Sequence, residues 1–305
     1  MSATAHAFAQ ESYPNAPIRF VIPTPAGGGH DAMMRTIGAR LTEAWGQTLV
    51  VESKPGASGA IAASFVAKAP ADGYTLLLGY SSLLSNLILT PNTGYKLAEL
   101  APVSMLALTP IAIGVRSSLG VKTLAEFIAL AKSQPGKLSY GSYGPGSGGH
   151  FVGELLNAEA GINTTHVPYK GEAPALQDLL GGQIDAVIAS LGGVSRYPGR
   201  IVPLAVASPN RFAAYKEVPT FIEAGLSTVN MPGWAGAYAP ANTPKPILEK
   251  LTAELNRIVM LPEVSLKLLE LGFEAVAWPP RKLAEFMIEQ TALIQKLVSD
   301  GRIKL

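Results

Sequence analysis

A short apolar strand, a glycine-rich turn ending Gly-Gly-His and a helix-like run occur in that order twice in this 305-residue chain. The first copy reads Phe20-Val-Ile-Pro-Thr-Pro-Ala-Gly-Gly-Gly-His-Asp31 and enters the helix-like stretch 32–45. The second reads Leu138-Ser-Tyr-Gly-Ser-Tyr-Gly-Pro-Gly-Ser-Gly-Gly-His150 and enters 151–160. Glycines let the backbone turn sharply and leave its N–H groups uncovered. A helix start adds unpaired donors and a partial positive charge. Each copy is therefore an anion site that needs no basic side chain, and two of them read as jaws that close on one acidic ligand.

Taking His30 and His150 as markers, the copies lie 120 positions apart, far beyond the period of a solenoid repeat. Strand and helix signals alternate from Ile18 to about Ala207, the pattern of a parallel α/β sheet. Thr123-Leu-Ala-Glu126 reads as a capping box, and Thr243-Pro244 as an N-cap followed by proline at the first helical position. The last 60 residues read as mainly helical. Two similar lobes result, each with a ligand loop at the C-terminal edge of its sheet. The boundaries are drawn at 13–108 with 238–305 for the first lobe and 109–237 for the second. Pro110–Val115 and Trp234–Ala239 are the expected crossings.

A hydrophobic fraction of 48% against 15% charged residues supplies a substantial core. A net charge of +2 gives no footprint for nucleic acid, and the absence of cysteine removes thiol chemistry. Residues 1–12 contain Ala5-His6-Ala7 and Ala7-Phe8-Ala9, both of the small-x-small form of an export cleavage site. They read as the tail of a trimmed export signal behind an added methionine, with an ordinary Ala-rich terminus as the alternative.

Several motifs have a duller reading beside the functional one. Gly144-Pro-Gly-Ser-Gly-Gly149 matches the dinucleotide fingerprint in form, but 163–168 holds no carboxylate for a ribose. His30 and His150 facing each other as acid and base would make a carboxylate-modifying enzyme; a structural place at each helix start is favoured. No histidine spacing suggests a metal, and no cofactor is expected. Asp31 either binds a ligand amine, caps its own helix or pairs with Arg35. Ser81 and Ser82 touch ligand or cap the following helix. Tyr169 and Lys170 end a strand and can reach the cleft, although a lysine is usually solvated. Trp234 either walls a ligand or packs the hinge.

The chain resembles the tripartite tricarboxylate transporter substrate-binding proteins, the Bug family of bacterial extracytoplasmic solute receptors. The resemblance is carried by Pro25-Ala-Gly-Gly-Gly-His-Asp31, Lys68-Ala-Pro-Ala-Asp-Gly-Tyr74, Ala131-Lys-Ser-Gln-Pro-Gly-Lys137, His166-Val-Pro-Tyr-Lys-Gly171 and Asp178-Leu-Leu-Gly-Gly-Gln-Ile-Asp185, and extends over nearly all of 13–301. It implies an α/β, two-lobed periplasmic binding protein of the type II flytrap kind, with a hinge of crossing strands. It also implies a monomer, no enzyme activity, a small organic acid as ligand and membrane transporter subunits as partners, with a signalling receptor as the alternative. By matching position the contacts fall on Pro25, Ala26, Gly27, Gly28, Gly29 and Asp31, and on Gly141, Ser142, Gly144, Gly146 and Ser147. His150 and Tyr169 join them, and Ser81, Ser82 and Ser190 are outer members. The stretch Ala189-Ser-Leu-Gly-Gly-Val-Ser-Arg-Tyr197 departs from the family's usual pattern, so the role of Arg196 and the far end of the ligand stay open.

Overall fold

The computed structural model describes residues 13–301, and the expected export remnant at 1–12 lies outside them. Two sheets organise the chain. The six-stranded first sheet contains β1 (Ile18–Ile22), β2 (Leu49–Ser53), β3 (Thr75–Tyr80), β4 (Leu100–Thr109), β10 (Gly233–Pro240) and β11 (Glu274–Trp278), in the order β11-β4-β10-β3-β1-β2. The five-stranded second sheet contains β5 (Ile111–Arg116), β6 (Ser139–Ser142), β7 (Thr165–Pro168), β8 (Ala186–Ser190) and β9 (Ile201–Ala207), in the order β7-β6-β8-β5-β9.

Neither sheet is wholly parallel, which corrects the sequence expectation. β1 runs parallel to β2 and β3, but β10 is antiparallel to both β3 and β4. β6 runs parallel to β7 and β8, while β5 is antiparallel to β8 and β9. The reversals arise where the chain passes between sheets: β4 ends at Thr109, Pro110 makes the joint, and β5 starts the second sheet. The return is made before Gly233, because all of β10 lies in the first sheet. Every residue of β10 is buried, as suits a central strand covered on both faces.

Helices cover the sheets: α1 (Gly29–Trp45), α2 (Ala60–Ala67), α3 (Ser82–Leu89), α4 (Leu124–Ser133), α5 (Gly148–Ala160), α6 (Glu172–Leu180), α7 (Leu191–Ser195), α8 (Lys245–Val259), α9 (Pro262–Glu270) and α10 (Pro280–Ser299). In α1 the buried stripe is Met33, Met34, Ile37 and Leu41, a helical repeat that seats it on the first sheet, and Gly46 closes it with φ +67°. Thr123 caps α4 by accepting the Glu126 N–H at 3.2 Å, while the Glu126 carboxylate reaches back to the Lys122 N–H at 2.6 Å, one residue beyond the expected cap. Thr243 is not a cap. Its hydroxyl donates to the Pro240 carbonyl, and Pro244 itself stands at the N-cap of α8.

This topology places both ligand loops. The parallel strands β1 and β3 end at one edge of the first sheet, where 23–28 and Ser81 follow them. The parallel strands β6, β7 and β8 end at one edge of the second, where 143–147, 169–171 and Ser190 lie. Ligands of open α/β sheets bind outside such carboxyl ends.

Candidate functional site

Both helices begin earlier than the sequence suggests, inside the Gly-Gly-His runs. The N-cap of α1 is Gly28, with φ −80° and ψ 176°; that of α5 is Ser147, with φ −78° and ψ 161°. The residue before each cap is a left-handed glycine, Gly27 at φ +81° and Gly146 at φ +68°. Side chains of any other residue resist that conformation. The Gly27 N–H donates to Oδ2 of Asp31 at 3.1 Å, and the Gly146 N–H donates to Nδ1 of His150 at 3.2 Å. Asp31 and His150 thus hold the same third position of their helices and close the same turn. The structural repeat pairs Gly27 with Gly146 and Asp31 with His150, a spacing of 119 and not the 120 that pairs the two histidines. Gly29 and His30 in one helix, and Gly148 and Gly149 in the other, sit where N–H groups have no partner within the helix.

Other side chains fix these turns. The Arg35 guanidinium donates to Asp31 at 2.9 Å and holds its carboxyl below the usual range, with the Gly27 N–H adding to the effect. The Ser147 hydroxyl accepts the His150 N–H at 3.3 Å, capping α5. Ser142 accepts the Gly144 N–H at 3.2 Å, and its hydroxyl lies 2.7 Å from Nε2 of His166. The rings of His166 and His150 stack at 4.2 Å, with Tyr140 on the other side of His166 at 4.9 Å.

His30 and His150 do not face each other as an acid–base pair. His30 packs between Tyr80 at 5.6 Å and Phe273 at 5.4 Å, and burial pushes its pKa down to about 4. His150 must keep Nδ1 unprotonated to accept the Gly146 N–H, which leaves its proton on Nε2. Burial lowers its pKa, and burial with the neighbouring His150 takes His166 down to about 4. An unfolded histidine titrates near 6.5. The folded state therefore binds fewer protons, so the histidine contribution is complete above about 6.5 and is lost as pH falls towards about 4. Thermal unfolding followed over that window should show a falling midpoint, and His166→Phe should flatten the slope. An equal slope in the variant would show that the stack does not titrate.

The remaining sequence candidates fall into two groups. Pro25, Ala26, Gly27, Gly28 and Gly29 are exposed on the first loop. Ser81 and Ser82 are buried beside it, and neither hydroxyl caps α3; that of Ser82 donates to the Ser58 carbonyl at 2.6 Å. Gly144 and Gly146 shape the second loop. The others have these surroundings. A Cβ on Gly141 would meet Ile184 and the Tyr169 ring, and the Tyr169 hydroxyl donates to Asp178 at 2.7 Å. Lys170 is exposed. Trp234 is buried against Phe286 and Tyr238.

The two edges touch directly. Ser85 of α3 donates to the Gly146 carbonyl at 2.6 Å. On the other flank the backbones of Gly192 and Gly272 meet so closely that a Cβ on Gly192 would stand 2.8 Å from the Gly272 Cα. Tyr143 of the second lobe comes within electrostatic reach of both Glu172 of its own lobe and Tyr80 of the first; Tyr143 falls inside the second glycine-rich turn, whereas Tyr80 and Glu172 are not singled out from the sequence. Each follows or ends a strand at the loop-bearing edge, the one signal that points to them. A depression of about 890 Å³ lies elsewhere, lined by Arg19, Ile61, Phe65 and Thr93.

The tripartite tricarboxylate transporter family receptor model matches residues 33–302. The chain belongs to that receptor family. Protein BugT of Bordetella pertussis is 36% identical over 251 residues, spanning 81% of this chain and 77% of BugT. An R. palustris protein solved with adipate shares 34% identity and superposes with a TM-score of 0.89, over 94% of this chain and 97% of its own. MatC from Rhodopseudomonas palustris, solved with bound malate, shares 30% identity with a TM-score of 0.84, over 94% of this chain and 100% of its own. The two-sheet α/β architecture is that of these binding proteins, and the family consists of receptors.

Proposed function

We propose that this receptor captures a small carboxylate-bearing solute between its two glycine-rich helix starts, in the periplasm, and presents it to a membrane transporter of the tripartite tricarboxylate type. The observation that carries this reading is the equivalence of the two turns. Each has a left-handed glycine, a cap in the same conformation and a third-position side chain locking the glycine N–H, so in each the next N–H groups are left without a partner inside the helix. A buried carboxylate is tolerated only when its oxygens are fully hydrogen-bonded, which donors from two sides provide. Relatives solved with adipate and malate bind acids of this class.

An enzyme acting through His30 and His150 has little support, since one ring is packed between aromatics and the other has its acceptor nitrogen engaged. The sequence-drawn lobes, 13–108 with 238–305 and 109–237, move to 13–109 with 233–305 and 110–232 once β4 and β10 are kept whole in the first sheet. Solute entry then opens the Ser85–Gly146 and Gly192–Gly272 contacts, and a ligand bridging both turns favours the closed form. No described helix is long and apolar enough to cross a membrane, in keeping with a receptor that works beside a separate transporter.

A thermal-shift screen of organic acids followed by calorimetry tests the reading. At least one acid should bind, its amide analogue should not, and Gly146→Val should lose the affinity by forcing a branched residue to φ +68°. Equal binding of acid and amide, or unchanged affinity in the variant, would remove the carboxylate clamp.

A further inference from the structure

We propose that Glu172 meets the far end of the solute and selects a carboxylate ligand that carries a protonated nitrogen there over a dicarboxylate of the same length. The proposal rests on the capture reading above for the carboxylate end, and adds what the opposite end must be.

Glu172 is the first residue of α6, at the edge of the second sheet that also carries Tyr143 and Ser190. Its carboxylate is held in one orientation: Oε2 accepts the Ser190 N–H at 2.8 Å and Oε1 accepts the Ser190 hydroxyl at 2.9 Å. Ser190 in turn accepts the Gly193 N–H at 3.0 Å, so the carboxylate is braced on the start of α7. Residue 193 must be glycine for this, because a Cβ there would overlap Oε1. The neighbouring Gly192 touches Gly272 of the other lobe, which sets Glu172 beside the cleft. Tyr143 links the two sides, since its hydroxyl feels both Glu172 and Tyr80 and lies next to the Gly148 position at the start of α5.

The charge is incompletely answered. Ser190 supplies two donors, whereas a carboxylate offers about four acceptor sites. Among the described residues no lysine, arginine or histidine forms an ion pair with it. Arg196 exerts only a longer-range attraction, and burial pushes the Glu172 carboxyl up. A carboxylate held rigid and half-buried without a cation favours a ligand that brings one. A second ligand carboxylate would meet a like charge at close range or force Glu172 to take up a proton, and either penalty discriminates between partners.

Orienting Ser190 is a structural task of the same side chain, so the test reads ligand choice. Calorimetry on the full chain at neutral pH compares length-matched pairs: succinate with γ-aminobutyrate, glutarate with δ-aminovalerate, adipate with ε-aminocaproate. Aspartate and glutamate are added as acids carrying an extra ammonium. At least one ammonium-bearing ligand should bind about tenfold or more tighter than its diacid. Glu172→Gln, which keeps the shape and can still bond Ser190, should bring that ratio towards one without moving the unfolding midpoint. The proposal falls if the diacid binds equally or better, if the ratio survives in Glu172→Gln, or if neither series binds. Diacids that bind and lose affinity in Gly146→Val would leave the capture reading standing while removing Glu172 as its selector; failure of every carboxylate would remove both.

Discussion

Gly149→Ala is expected to lose both stability and ligand affinity, although alanine is the better helix former. The exchange gains about 1 kcal/mol in propensity. Against that, a Cβ on residue 149 would overlap the Ile188 carbonyl oxygen and stand 2.9 Å from the Tyr143 ring. The obstacle at Ile188 is backbone of a strand paired on both sides, so no side-chain rotation relieves it. The start of α5 must lift away from β8, and overpacking of this kind typically costs about 1–3 kcal/mol, more than the propensity gain. The same displacement moves the Gly148 N–H off the proposed ligand position and strains the hydrogen bond between the Gly149 N–H and the Tyr143 hydroxyl. Hydrogen bonds to charged groups are worth about 1.5–3 kcal/mol each, so loss of one corresponds to an affinity drop of roughly tenfold to a hundredfold. Gly28→Ala is the control for stability: its φ is −80° and its Cβ would lie 3.4 Å from the Pro25 carbonyl oxygen, an ordinary contact. Chemical unfolding and calorimetry on both variants decide the matter. A Gly149→Ala protein as stable as the parent would mean that α5 is not seated against β8 as described.

The alternation of strands and helices was legible because apolar runs bounded by glycine and proline repeat at the right lengths: the apolar runs Thr75–Gly79 and Ile111–Val115 form the strands Thr75–Tyr80 and Ile111–Arg116. Their directions were not. Parallel and antiparallel neighbours use the same residue types, and the reversal at β5 depends on how Pro110 carries the chain into the second sheet. β11 was missed because it is a short edge strand, Glu-Ala-Val-Ala-Trp, wedged between helices with an interrupted register against β4. At the candidate site, the sequence showed two glycine turns but misaligned them. Matching letters pairs His30 with His150, whereas matching roles pairs Asp31 with His150, since a carboxylate and a neutral imidazole both accept the N–H of the left-handed glycine. Chemical function at a helix start was conserved between the turns while residue type was not. Glu172 was equally hidden. In sequence it is an acid in the first turn of a helix, a common and unremarked placement. Only the packing of α7 against α6 shows that it braces Ser190 beside the cleft.

Trp234→Ala is expected to cost about 3–5 kcal/mol, the range for removing a large buried aromatic side chain. The indole is 2% exposed. It meets Phe286 edge-on at 6.1 Å and Tyr238 at 6.4 Å, and Phe286 in turn packs on Trp278 at 5.5 Å. The four rings tie β10, the central strand paired with both β3 and β4, to α10 and β11 at the C-terminal end of the chain. The cavity left by alanine would open between strand and helix, where the Tyr238 hydroxyl also contacts Sδ of Met287 at 3.2 Å. Trp234→Phe separates packing from ligand contact, because it keeps an aromatic ring while reducing volume. Its unfolding midpoint should lie between those of the parent and the alanine variant, with affinity for the captured acid unchanged. Should Trp234→Phe weaken binding while leaving unfolding untouched, the indole would belong to the wall of the ligand site, and β10 would have to be held to α10 and β11 by other contacts.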